Sequence, residues 1–537
     1  MAAADAPATD ADLRPGRATA GWGVRSRPGR GLLLAALLGC AVGVPLALAF
    51  LTGSIAIPHN DAWSHSKIAE GFARDGRIRM LGWNRTALVG QVVPLGPLAA
   101  SIVAQHLFVA GLAVLGLVAT YAFLLPRLGP GRALLGTALV GALPEFGLLA
   151  TSYMSDVPAF AAVMVCVATA DRALRRDSVP LLCAAVAVGV WGATVREQAL
   201  AAPAAVVVVA ALAWRGRRRA AAVVPGLVAA GGFVVFEWWR RSLPYGDPPH
   251  LELTPRPAVS AAVQAALTMA LFLAPAVVLV ARPARWGRRA RIAGAAVVAV
   301  AALVTAAERG GIFLGNYLDR DGAYGEVAVG TRAVLPAAVW AGLLVVACVS
   351  AGLLAGLVVE HRLRLDRTSL LLGGLLSVGT LAQAALGQPV FARYLLPLVP
   401  IAAVAVLGVA TEGRRRLAVP VAGALFGCAV ALTANTLAFD AARWQAAQEL
   451  ERSGVPATDI DAGLEWVGYH ARGPAELDGP PADVPGWYRD AFPGSRACAV
   501  VAASPLPGTA PATAFPYRGF AVLGDAHLWI HRSSTCR

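Results

Sequence analysis

Long apolar runs separated by short polar segments dominate this chain. They fall near 31 to 51, 98 to 125, 133 to 151, 157 to 174, 178 to 195, 198 to 214, 220 to 239, 258 to 281, 292 to 307, 333 to 359, 368 to 387, 394 to 411 and 417 to 437. An apolar helix of about 20 residues crosses a hydrocarbon core about 30 Å thick. The pattern therefore predicts an all-α polytopic membrane protein of about 13 transmembrane helices. Its parts are a tail at 1–30, a multi-span domain at 31–437 with a first outer loop at 53–97, and a small α+β domain at 438–537.

The tail domain departs from the span pattern. Ala441 to Arg452 has helical spacing with Gly454 to stop it, whereas Leu464 to Tyr469, Ala497 to Ala502 and Gly519 to Leu523 are short apolar runs that read as strands. A loop rich in Pro and Asp, Pro474 to Pro485, lies between them.

Basic residues orient the spans. Segments assigned to the cytoplasmic side carry 25: five at the N-terminus, then Arg127 and Arg132, and the clusters at 172–176, 215–219, 282–291, 362–367 and 414–416. The outer loops are longer and carry 13. Positive charge is retained inside, so the N-terminus is expected in the cytoplasm and the tail domain outside. Residues 1–30 and the run after them read as a retained signal anchor, although Ala47-Leu48-Ala49 resembles a signal-peptidase site.

Composition narrows the class further. The chain is 57% hydrophobic and only 15% charged, far from a soluble domain. Its net charge of +14 is spent on topology, which argues against nucleic acid as a partner. Lys67 is the one lysine among 46 basic residues, as in a GC-rich bacterial genome, and this points to a bacterial plasma membrane. The seven cysteines show no zinc spacing. Cys498 and Cys536 share the tail, where an oxidising compartment permits a disulfide between them.

Polar chemistry concentrates in the outer loops. The first contains His59-Asn60-Asp61 followed by a helical pattern to Arg74, with Ala62, His65, Ile68, Ala69 and Phe72 on one face and Gly76 as its stop. It is expected to lie along the membrane surface. Asp61 is either a helix cap or a functional carboxylate, and the sequence leaves both open. Asp156, in Tyr153-Met154-Ser155-Asp156-Val157-Pro158, poses the same choice. Arg196-Glu197 sits in an apolar hairpin, and Arg393 begins a span on the outer side, against the positive-inside bias. The loop from Glu308 to Arg332 fits a lid or a solvated loop equally.

Together His59-Asn60-Asp61, Tyr153 to Pro158, Arg393-Tyr394-Leu395-Leu396-Pro397 and the outer tail domain resemble the GT-C superfamily of lipid-carrier-dependent glycosyltransferases. The likeness is to its family 39 group, which includes protein O-mannosyltransferases and the lipid A aminoarabinose transferase. Many members carry two adjacent acids in the first loop; here Asn60 precedes Asp61, which places the role on Asp61 alone.

The resemblance implies inverting transfer of a sugar from a polyprenyl-phosphate donor to an acceptor hydroxyl of a glycan, glycolipid or protein on the outer face. Asp61 is then the general base. Arg393, and after it Arg196, binds the donor phosphate. Asp156, His59, His65 and Glu197 are candidates for the acceptor or for a divalent cation such as Mg or Mn. The competing readings are a transporter or lipid flippase, for which ionisable residues in mid-span and broken helices are expected, and a membrane scaffold presenting the tail domain.

Overall fold

The computed structural model describes residues 29–81, 88–243, 253, 255–307, 312–323, 328–409, 415–471, 498–506 and 512–532. The expected tail at 1–30, the loop Pro474 to Pro485 and Cys536 lie wholly or almost wholly outside them. The chain is a helical polytopic membrane protein with a small sheet near its C-terminus.

Every apolar run in the sequence is helical, but the runs are not thirteen equal spans. Among the described residues, eight helices are long and apolar enough to cross a membrane: Gly31–Thr52, Ile102–Leu128, Asp156–Arg175, Arg217–Arg241, Arg288–Ala307, Ala337–His361, Arg367–Ala385 and Arg416–Arg452. A ninth is a pair, Pro257–Phe272 and Ala274–Val280, bent by 63°. Val179–Ala193 and Leu398–Gly408 are 15 and 11 residues long. They rise only about 22 and 16 Å at 1.5 Å per residue, short of the bilayer core. The run at 133–151 is broken into Pro130–Gly141 and Phe146–Ala150.

Side-chain contacts bring the segments 59–67, 155–156, 196, 316 and 393 together, with the tail domain joined to the first of them through His59–Asp440 and Lys67–Ala471. Arg127 pairs with Asp171 and with Asp366, which also caps its own helix by accepting from Thr368 N and Ser369 N.

The helix Arg415–Arg452 runs straight through the boundary expected at 437/438 and carries the tail domain on its last turns. A four-stranded sheet packs there: β1 Ile460–Asp461, β2 Ala499–Ala502, β3 Thr513–Phe520 and β4 Leu523–Arg532, in the order β1-β2-β4-β3. Phe439, Trp444 and Leu450 of the helix share a core with Ile460, Trp466, Val501 and Leu528.

Two of the three expected strands are corrected. Leu464–His470 is a helix, because Leu464, Val467 and Gly468 recur at helical spacing and are buried together. Gly519 to Leu523 forms the tip of the β3–β4 hairpin, with Ala521 at φ 65°. Cys498 is disulfide-bonded; its expected partner lies outside the described residues.

Candidate active site

The first-loop helix, Ala62–Asp75, ends at Gly76 in the left-handed conformation, as its sequence predicts. It does not simply lie on a surface. Its buried face carries Trp63, His65, Ser66, Ile68 and Ala69, and Ser66 Oγ donates to Gln105 Oε1 at 2.6 Å on the bundle side. On the other side Lys67 Nζ donates to Ala471 O at 2.8 Å and Tyr469 OH donates to Glu70 Oε1 at 2.6 Å. Trp63 lies so close to Gly468 that a Cβ there would meet the indole at 2.5 Å. The helix is thus sandwiched between the bundle and the tail domain.

Asp61 occupies the N-cap position, but its side chain makes no cap hydrogen bond. The first free N–H groups are served otherwise: Ala62, Trp63 and Ser64 donate to the carbonyls of His59, Asn60 and Asp61. Asn60 makes the tight entry at φ 48°, a left-handed conformation that Asn tolerates well. The Asp61 carboxylate is left to reach Arg393, with Oδ2 3.7 Å from Nη2.

Arg393 gathers the rest of the site. Its guanidinium is 5% exposed, with Nε 3.5 Å from Asp156 Oδ1 and Nη1 donating to Asn316 Oδ1 at 2.9 Å. Phe391 lies 4.6 Å below the cation, and Tyr317 and Tyr394 stand 5.8 Å away. Asp156 opens the helix Asp156–Arg175 without capping it, and its Oδ1 also takes Arg196 Nη1 at 2.9 Å. Arg196 donates to Ser155 Oγ at 3.2 Å and stacks 4.4 Å over Tyr394. The expected base Asp61, the expected phosphate ligands Arg393 and Arg196, and Asp156 are therefore a single cluster assembled from four segments.

Exposure separates the two acids. The Asp156 side chain is 2% exposed and lies between two guanidiniums, whereas Asp61 is 30% exposed. Next to them is a narrow cleft, partly open to solvent, lined by Asp156, Arg196, Gln198 and Arg393 at its polar side and by Ala159, Phe160, Val163 and Pro397 at its apolar side. Arg393 Nε faces Asp156 without a hydrogen bond, and Asp156 Oδ2 likewise has no hydrogen-bond partner.

The other expected residues lie elsewhere. His59 is 1% exposed, and its Nδ1 pairs with Asp440 Oδ2 at 2.7 Å. Arg443 then joins Asp440 at 2.5 Å to Glu465 at 2.6 Å, all buried. His59 also stacks on His106 at 5.8 Å. This network ties the first loop to the tail domain. His65 Nδ1 meets Tyr153 O at 3.0 Å and holds the second loop. Glu197 is exposed, and its neighbour Gln198 lines the cleft instead.

Among the described residues no three of His, Cys, Asp and Glu converge as a metal site would require. Asp61 and Asp156 also do not fit a divalent cation as they stand, since both face Arg393 and Asp156 is held by Arg196 as well.

Sequence reasoning missed Asn316 and gave Tyr317, one of the polar residues of the same loop, no role. The loop at 312–323 is not plainly solvated: Phe313, Leu314, Tyr317 and Leu318 are buried, and Leu314 N donates to Thr268 Oγ1 at 3.0 Å. Its signal was the apolar stretch Ile312 to Leu314 ahead of Asn316, which takes φ 92°.

No family model matches the chain, and no curated protein matches it. Among solved structures it is similar to two of ArnT from Cupriavidus metallidurans, one bound to undecaprenyl phosphate and one in the apo state. The first is 14% identical over 95% of this chain and 99% of that one, and the second 16% over 94% and 98%, both with TM-score 0.37. At this TM-score the likeness carries no weight for the chemistry, which rests on the side chains of the site.

Proposed function

We propose that this protein is a membrane glycosyltransferase that moves a sugar from a polyprenyl-phosphate carrier to an acceptor hydroxyl at the outer face of a bacterial plasma membrane. The observation that carries the reading is Arg393, a buried guanidinium that faces both acids and lies on a cleft with one polar and one apolar side.

A phosphate needs charge-assisted donors, and Arg393 with Arg196 supplies two guanidiniums on one wall. The apolar wall of Ala159, Phe160, Val163 and Pro397 suits the first isoprene units of the carrier. An acceptor hydroxyl is a weak nucleophile until its proton is taken, and Asp61, the more exposed acid, is the base. In a single displacement the acceptor oxygen bonds to the anomeric carbon, its proton passes to Asp61, and the bond to the carrier phosphate breaks with inversion. The departing phosphate gains negative charge, which the two arginines stabilise. Asp156 is the positioning residue that holds both guanidiniums in place.

The transporter reading finds a broken helix but not the ionisable residues it expects there. The bent pair Pro257–Phe272 and Ala274–Val280 contains no ionisable residue at all. The test is Asp61→Asn, assayed for sugar transfer in proteoliposomes. A loss of about 10²-fold or more is expected, within the range of a general base, with the melting temperature kept because Asp61 caps nothing. Wild-type turnover in Asp61→Asn would overturn the assignment and send the search for a base to Asp156 or Glu197.

A further inference from the structure

The tail domain carries a surface that the proposed chemistry does not use. The tip of the β3–β4 hairpin reads Gly519-Phe520-Ala521-Val522-Leu523-Gly524, six residues without a charge. Val522 is 65% and Leu523 69% exposed, at the end of a domain whose other large apolar side chains mostly pack inward. A tip that sheds two branched aliphatic side chains into water has no stabilising reason to do so.

Its position relative to the long helix is fixed by two contacts. The Tyr517 ring lies 6.4 Å from that of Phe439, and Asn435 Nδ2 donates to Gly519 O at 2.8 Å. Passing from 517 to 519 along the strand therefore means passing from 439 to 435 along the helix, back toward the bundle. The apolar run 417 to 437 of that helix spans about 31 Å at 1.5 Å per residue and matches the hydrocarbon thickness. Asn435 is two residues from its end, so Gly519 already stands at the edge of the core. The strand continues at about 3.3 Å per residue to the turn at Ala521 and Val522, roughly 7 Å further in, and Leu523, paired with Phe520, stands roughly 3 Å further in.

Charge marks the same boundary. Arg518 and Asp525 pair across the hairpin at 2.5 Å, are 64% and 79% exposed, and form a collar at the foot of the uncharged tip. We infer that the β3–β4 hairpin dips into the bilayer that the helices span, with Val522 and Leu523 among the acyl chains and the Arg518–Asp525 pair at the headgroups. The wedge fixes the tail domain over the bundle independently of the His59 network, and a loop of this kind binds by apolar area at the interface. The occupant is phospholipid, because the tip lies at the depth of the same helix that carries the domain.

The experiment uses the full-length protein in phospholipid nanodiscs, with a photoreactive diazirine side chain placed at Leu523 and, separately, at the exposed Thr513 at the far end of β3. Both positions are solvent-facing in the protein, so neither replacement opens the core. A phospholipid adduct by mass spectrometry at 523 and only water insertion at 513 is expected. Water insertion at 523, or a crosslink there to a second copy of the chain, would overturn the inference.

Discussion

Replacing Arg393 tests the charge logic of the site most directly. The guanidinium divides its donors among three partners: Nη1 to Asn316 at 2.9 Å, Nη2 toward Asp61 at 3.7 Å and Nε toward Asp156 at 3.5 Å. Only the first is a hydrogen bond, so the other donors are available to an incoming phosphate. A hydrogen bond to a charged group contributes about 1.5–3 kcal/mol, and about 1.4 kcal/mol is tenfold in affinity. Arg393→Met should thus weaken binding of undecaprenyl phosphate roughly 10- to 100-fold. Two carboxylates would then face that anion with Arg196 as the remaining cation of the cluster.

Turnover should fall further, by about 10²- to 10³-fold, since the lost charge also serves the departing phosphate. The fold should survive, because Asp156 keeps Arg196 at 2.9 Å and Asp61 is partly solvated. Arg393→Lys retains charge but cannot span three acceptors as a planar fork does, and it should bind at an intermediate level. The assay is the Kd for undecaprenyl phosphate by native mass spectrometry, beside the melting temperature of each variant. Parent affinity in a folded Arg393→Met protein would refute the assignment of this cleft to phosphate.

Two further outcomes follow from charges outside the cleft. Arg443→Met leaves Asp440 and Glu465 buried without their shared cation, at a cost of about 3–5 kcal/mol. Thermal unfolding should show a large loss of stability that adding Glu465→Gln partly restores, and an unchanged melting temperature in Arg443→Met alone would contradict the network. Burial raises the Glu70 carboxyl above its ordinary 4.5 despite the Tyr469 hydroxyl, so its favourable contribution is full below that value and lost as pH rises through the raised one. Glu70→Gln, which still accepts from Tyr469, should therefore match the parent in acid, below the ordinary carboxyl value, and melt higher than it once the pH exceeds the raised one; a melting difference that stays flat with pH would refute this.

What was legible in the sequence is what local patterning controls. Apolar runs located the helices of the bundle, Gly76 ended the first-loop helix where it should, and the position of Arg393 against the charge bias marked it as unusual. Length was harder, because a run of 15 apolar residues reads as a span whether it crosses or stops partway, and packing decides. Capping was misleading at Asp61 because tight carbonyl bonds can serve the helix start as well as a side chain can. The partners of His59 were out of reach: Asp440, Arg443 and Glu465 lie 381, 384 and 406 residues away, and no local period connects them.

These distant partners explain why the site needs the tail domain. Asp61 has no hydrogen bond from its own side chain to hold it as a cap, so its place depends on the backbone of His59 and Asn60. His59 is fixed by Asp440 on the long helix, and Asp440 by Arg443 and Glu465 within the tail. The surface helix that follows Asp61 is pressed against Gly468 and Ala471 of the same domain. A base that must stay partly exposed cannot be locked by burying its own carboxylate, since that would close it to an acceptor. It is instead positioned by its neighbours, whose buried ion pairs carry the rigidity and leave the acid open at 30% exposure.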